Sequence, residues 1–138
     1  FASPPGSDYP PIVDMHLFAP HEAITIHGPG GSLTVMPVPV MHGSGYQAFA
    51  FRFNNLVYCP DISHLPGPSE KHFESAAVLV LDALRYTRHP THLSVDEALE
   101  LIGKFRPGRA ILTNLHSDLD YRTIAQRLPA GVVPAHDG

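Results

Sequence analysis

Ala76-Ala77-Val78-Leu79-Val80-Leu81-Asp82, midway along the chain, is an uninterrupted apolar run closed by a carboxylate. No polar residue alternates within it, so it reads as a strand buried on both faces, of the kind found inside parallel sheets. On its C-terminal side, Ser94-Val95-Asp96-Glu97 has capping-box spacing, with Ser as N-cap and Glu at the third helical position. Val95, Ala98, Leu99, Ile102 and Phe105 then recur at helical spacing, and Pro107-Gly108 stops the helix. Ala110-Ile111-Leu112-Thr113 is a further short strand. A last helix, capped by Ser117 or Asp118, carries Tyr121, Ile124, Ala125 and Leu128 on one face and ends at Pro129. Val132-Val133 closes the series as a final strand.

The N-terminal side has a different grammar. Residues 1–20 are punctuated by Pro4-Pro5-Gly6 and Pro10-Pro11 and read as an extended arm. Residues 24–27 and 33–40 read as two strands, with Gly28-Pro29-Gly30-Gly31 as a loop of about four residues. Pro37 and Pro39 cannot donate ladder bonds, which predicts an edge or a bulge there. Residues 47–53 and 56–58 form another hairpin through Asn54-Asn55, and residues 60–68 read as a loop. Antiparallel strands followed by strand–helix–strand–helix–strand predict one mixed α/β sheet with helices on one face. Too few helices remain to cover the second face of the central strand.

A length of 138 residues and a 43% hydrophobic content suit one packed domain. Net charge is −4 with only 9 Lys+Arg, which argues against a nucleic-acid footprint or a polybasic membrane surface. No apolar run reaches the length of a membrane span. Phe1-Ala2-Ser3-Pro4-Pro5 lacks the pattern of a signal peptide and the chain starts without Met, so it is expected to be part of something longer or a processed product. Cys59 is the only cysteine, so a disulfide framework is excluded and a reducing, cytoplasmic location is expected.

Histidine is unusually abundant, 10 against 9 Lys+Arg. Several polar residues follow apolar strands directly: His42 after Val40-Met41, Asp61 after Cys59-Pro60, Asp82 after Leu81, and Asn114, His116 and Asp118 after Thr113. Strand ends hold side chains firmly while loops give access, as a metal or catalytic site requires. For any one of these residues a surface or capping role is the simpler account; the repetition of His and Asp at strand ends makes the case for a common site. Such a set suits Zn²⁺, with Mn²⁺ or Fe²⁺ as alternatives, but one His and one Asp fall short of the ligands a single Zn²⁺ takes.

Five segments carry a resemblance to a known family: PVMHG (39–43), LVYCPDIS (56–63), VLVLDALRYTRHPTHLSVDEAL (78–99), AILTNLHSDLDY (110–121) and GVVPAHDG (131–138). Together they resemble the C-terminal half of metallo-β-lactamase-fold hydrolases, from about residue 9 to residue 138. The branch they look most like is the phosphodiesterase group that includes the carbon–phosphorus lyase accessory enzyme, with a more distant resemblance to ribonuclease Z. The fold implied is an αββα sandwich of which residues 1–138 form one half, α/β in class and α+β by some schemes. The family's first metal motif, His-x-His-x-Asp-His, has no counterpart in these residues.

The resemblance implies roles residue by residue. His42 matches a metal-binding His, Asp61 the carboxylate that bridges two metals, and His92 the active-site His near substrate phosphate that serves as general acid. Asp82 matches an acidic position that orients a His or a water. The family's last metal His follows Leu-Thr, but here Asn114 follows Leu112-Thr113, so that either His116 substitutes or one metal site is weak, with His136 as a second candidate. The implied function is a hydrolase with two Zn²⁺ per complete site, acting on a nucleotide or cyclic phosphate through a metal-bound hydroxide. A thioester or lactone hydrolase, or a non-catalytic half-domain binding a partner through its sheet face, are the alternatives. The implied partners are a small phosphorylated substrate and either the missing N-terminal half or a second copy; neither membrane nor nucleic acid is expected.

Overall fold

The computed structural model describes residues 15–137 together with Gly6 and Val13. The arm expected over residues 1–20 therefore lies largely outside the described residues; from Met15 to Ala19 the chain has no regular secondary structure. Seven strands form one sheet in sequence order: β1 (Ile24–Gly28), β2 (Gly31–Met41), β3 (Gln47–Phe53), β4 (Leu56–Cys59), β5 (Val78–Asp82), β6 (Arg109–Thr113) and β7 (Val132–Pro134). Strands β1 to β4 pair antiparallel, and β4 to β7 pair parallel. Parallel neighbours need crossover connections, and these hold α1 (Gly67–Glu70), α2 (Val95–Phe105) and α3 (Tyr121–Arg127).

The two hairpins follow their turn chemistry. Asn54 takes φ 51° in the tight turn closed by Phe53 and Leu56. The first hairpin is tighter than its four-residue expectation, because Gly28 and Gly31 pair and leave Pro29-Gly30 alone in the turn. Gly31 at φ 116° makes that closure feasible. Pro37 and Pro39 do lie along an edge. The β1 ladder ends at Ile24–Val35, and the carbonyls of Pro37 and Pro39 point away from β3, to the His21 N–H and the Ser69 hydroxyl.

Helix α2 starts as its sequence predicts. The Ser94 hydroxyl accepts from the Glu97 N–H, and the Glu97 carboxylate accepts from the Ser94 N–H. Arg106, in the left-handed region at φ 48°, ends it just before Pro107. Two expectations need correction. The loop over residues 60–68 gives way to the short α1, since proline is tolerated in a first helical turn where its missing N–H has no partner to lose. The N-cap of α3 is Asp120, not Ser117 or Asp118. Leu119 is buried and its N–H bonds to the His116 carbonyl, a turn that delays the helix start. Within α3, Ile124 is buried but Tyr121 stays exposed.

One parity of the strands makes the core. Val38, Ala50, Val57, Leu79, Leu81, Ala110 and Leu112 are fully buried and share a cluster with Ala98 of α2 and Ile124 of α3. The other parity is open: Phe49, Phe51, Val80, Ile111 and Val133 are half-buried and Tyr58 is 41% exposed. Phe18 covers part of this face, edge-on to Phe49 at 5.1 Å. The expectation of a sheet with helices on one face holds.

Candidate metal centre

Because β3 runs against β2 and β4, while β4, β5 and β6 run together, the C-terminal ends of β2, β4, β5 and β6 lie at one end of the sheet. Each end delivers a polar residue from a short connection. His42 follows Met41 of β2; Asp61 follows Cys59 of β4 through Pro60; Asp82 is the last residue of β5; Asn114 follows Thr113 of β6. His92 arrives from the loop that precedes the capped start of α2. Ligands of open sheets gather at such carboxyl ends.

Three of these residues converge. One ligand atom each from His42, Asp61 and His92 lies within 4.8 Å of the others. The imidazoles of His42 and His92 sit edge to face, with centroids 4.6 Å apart. Asp61 is open to solvent with its side chain 51% exposed, and its Oδ1 is 4.0 Å from His92 Nδ1. His42 Nδ1 is buried with no hydrogen-bond partner among the described residues.

Asp82 is fully buried and organises this cluster from behind. Its Oδ2 accepts from His92 Nδ1 at 2.9 Å and from the Ile62 and Leu93 N–H groups at 3.3 Å each. Its Oδ1 accepts from Asn114 Nδ2 at 3.2 Å. Ile62 and Leu93 directly follow Asp61 and His92, so one carboxylate fixes the backbone beside two site residues. Burial pushes the Asp82 carboxyl above the ordinary aspartate range, against the opposing pull of His92, Ile62 and Asn114. Cys59 lies beneath the site, and burial, then Asp82 and Asp61, hold its thiol well above its ordinary value. A neutral buried thiol is a packing group, not a nucleophile.

The remaining candidates are placed separately. Asn114 has φ 61°, a left-handed conformation that Asn tolerates, and its amide faces Asp82 and His92. The His116 imidazole is about half-exposed and pairs through Nδ1 with Asp118 at 3.1 Å, outside the His42–Asp61–His92 group. His136 lies edge-on to Tyr121 at 5.8 Å and lines a polar cavity with Thr113, Asn114 and Asp137. Ser63, which no motif in the sequence marks, lies against the His42 segment.

These residues fit a divalent cation. The His42 imidazole and the Asp61 carboxylate, with the His92 imidazole beside them, match borderline cations, and the buried His42 Nδ1 has no hydrogen-bond partner among the described residues. His42 and Asp61 would hold such an ion.

Residues 2–114 match the family described as the beta-lactamase superfamily domain. Among solved structures, a diphosphatase from the PhnP family is 34% identical, with 91% of this chain and 47% of that one covered at a TM-score of 0.83. YhfI from Bacillus subtilis, a metallo-beta-lactamase fold protein, is 22% identical, with 88% and 52% covered at a TM-score of 0.68. The short form of human tRNase Z is 18% identical, with 76% and 40% covered at a TM-score of 0.58. The chain thus spans about half the length of the solved structures it matches. No curated protein matches it. The match over residues 2–114 and the likeness to the PhnP-family structure place this chain in the beta-lactamase superfamily, with the metallo-β-lactamase fold.

Proposed function

We propose that this chain supplies part of the site of a metal-dependent hydrolase that cleaves a phosphodiester or related phosphoryl bond in a small substrate such as a nucleotide or cyclic phosphate. The observation that carries the proposal is the convergence of one ligand atom each from His42, Asp61 and His92 within 4.8 Å of one another. The likeness to a PhnP-family diphosphatase supports the substrate class. A divalent cation, Zn²⁺ first with Mn²⁺ or Fe²⁺ as alternatives, supplies Lewis acidity and lowers the pKa of water when bound.

The chain's own residues do the rest. His42 and Asp61 would be the ligands, and His116, which lies apart from them beside Asp118 in the loop after β6, would serve a second cation. With Nδ1–H given to Asp82, His92 keeps Nε2 free to hold the proton that the leaving oxygen takes. Asp82 orients that ring and, through Asn114, the start of the β6 loop. On this reading the open sheet face, with Tyr58 and Ile111, packs against a second layer from the other half of the fold or from another copy. No helix among the described residues is long and apolar enough to cross a membrane, and a cytoplasmic setting keeps Cys59 reduced.

The test is elemental analysis of the full-length protein together with turnover of a chromogenic phosphodiester and a nucleoside diphosphate. One to two equivalents of metal and loss of turnover in His42→Ala and Asp61→Ala, with far-UV circular dichroism retained, are the expected results. Undiminished turnover in both variants would sink the proposal.

A further inference from the structure

Asp61 and Ser63 belong to one short connection after β4, and Ser63 reaches across to the segment that bears His42. The Ser63 hydroxyl donates to the Met41 carbonyl at 3.1 Å and accepts from the Gly43 N–H at 2.8 Å. Met41 and Gly43 are the two neighbours of His42. The Ser63 N–H donates to the same Met41 carbonyl at 2.7 Å, and Met41 forms a bridge with His64. Gly43 is buried with φ 90°, and its N–H is held by the Ser63 oxygen. One hydroxyl thus clamps the backbone on both sides of His42, while its own residue stands two positions from Asp61.

The third member is tied to the same point. A side chain on Gly43 would meet the Thr91 methyl at 2.9 Å, so glycine lets the Thr91–His92 loop press against this turn. Backbone freedom and side-chain bonding therefore meet at Gly43, next to a ring whose buried nitrogen has no partner.

We propose that Ser63 is a positioning residue for the cation site, setting the separation of His42 and Asp61 before any ion is bound. This rests on His42 and Asp61 being ligands. A group that orients ligands in this way changes metal affinity by roughly 10- to 100-fold when removed. A serine that served only to shape the loop would change folding and leave affinity alone.

The experiment is Zn²⁺ affinity of the full-length protein, measured by competition with a chromophoric chelator, for wild type, Ser63→Ala and Ser63→Thr. Melting of the metal-free proteins is measured alongside. The expected result is a loss of about tenfold or more in Ser63→Ala. Ser63→Thr, which keeps the hydroxyl, stays near wild type, and metal-free Ser63→Ala still melts cooperatively. Wild-type affinity in Ser63→Ala, equal loss in both variants, or a metal-free Ser63→Ala that no longer melts cooperatively would overturn the inference. If wild type binds no Zn²⁺, the ligand reading of His42 and Asp61 falls, and this inference with it.

Discussion

The two ends of the parallel strands are closed by different chemistry. At the N-terminal end, backbone meets backbone. Ala77 N–H bonds to the Asn55 carbonyl, Gly108 N–H to Ala76, Arg109 N–H to Ala77 and Ala110 N–H to Gly131. The residues there are small enough for chains to touch; a Cβ on Gly108 would stand 3.0 Å from the Ala77 oxygen. At the C-terminal end backbone pairs such as Ala83 N–H to the Thr113 carbonyl and Ser63 N–H to the Met41 carbonyl are supplemented by side-chain bonds: Asp82 receives Ile62, Leu93, His92 and Asn114, and Ser63 receives Gly43. Burying the Asp82 carboxylate costs free energy that backbone contact between small residues does not. The molecule accepts that cost at Asp82, at the end where the loops bearing His42, Asp61 and His92 must be held in register.

The sharpest way to break this contrast is Asp82→Ala. It strands the Ile62 and Leu93 N–H groups and frees His92, so a stability loss of about 3 kcal/mol is expected by urea unfolding. Gly108→Ala strikes the other end, where the clash with the Ala77 carbonyl is partly offset by lower chain entropy in the unfolded state. A loss of about 1 kcal/mol is expected, with metal content unchanged. If Gly108→Ala proves the more damaging, or lowers metal content, the division of labour between the two ends is wrong.

A smaller effect sharpens the contrast through pH. Glu97 caps α2, and its carboxyl is held below the ordinary range first by the Ser94 hydroxyl, then by the Ser94 N–H. A depressed folded pKa means that its contribution is full above the unfolded pKa and fades as pH falls through the folded one. Asp82 has the opposite sign. Its raised folded pKa gives a contribution that is full below the unfolded value and is lost as pH rises through the folded value. Urea titrations below pH 5 should show Glu97→Gln flattening the acid-side loss of stability, by about 0.5 kcal/mol. An unchanged pH profile in that variant would remove Glu97 from the account.

What was legible in the sequence was what is local. The capping box and apolar period of α2 specify its start and face with neighbouring residues alone, and the apolar run before Asp82 marked the central strand. The start of α3 was misplaced because burial of Leu119 is a tertiary event that Ser117 and Asp118 do not announce. At the site, His42, Asp61 and Asp82 could be singled out because each stands at a strand end. His92 emerged only through the family resemblance. Ser63 closes the LVYCPDIS segment, but nothing in that segment marks it: a loop serine becomes meaningful when pairing brings β2 and the β4 connection together, and no spacing in the chain records that meeting.

The two prolines on the outer edge of β2 have a consequence for how copies of this molecule meet. Beyond Val35 that edge no longer pairs with β1 and meets the His21 N–H, the Ser69 hydroxyl and His64, and an edge released from such cover is where one sheet can recruit a strand from another and begin a filament. Pro37 and Pro39 turn this stretch of edge into a poor template, because an incoming strand would find no N–H donor at either position. Crowding should therefore fail to extend the sheet sideways at this point, however exposed the edge becomes.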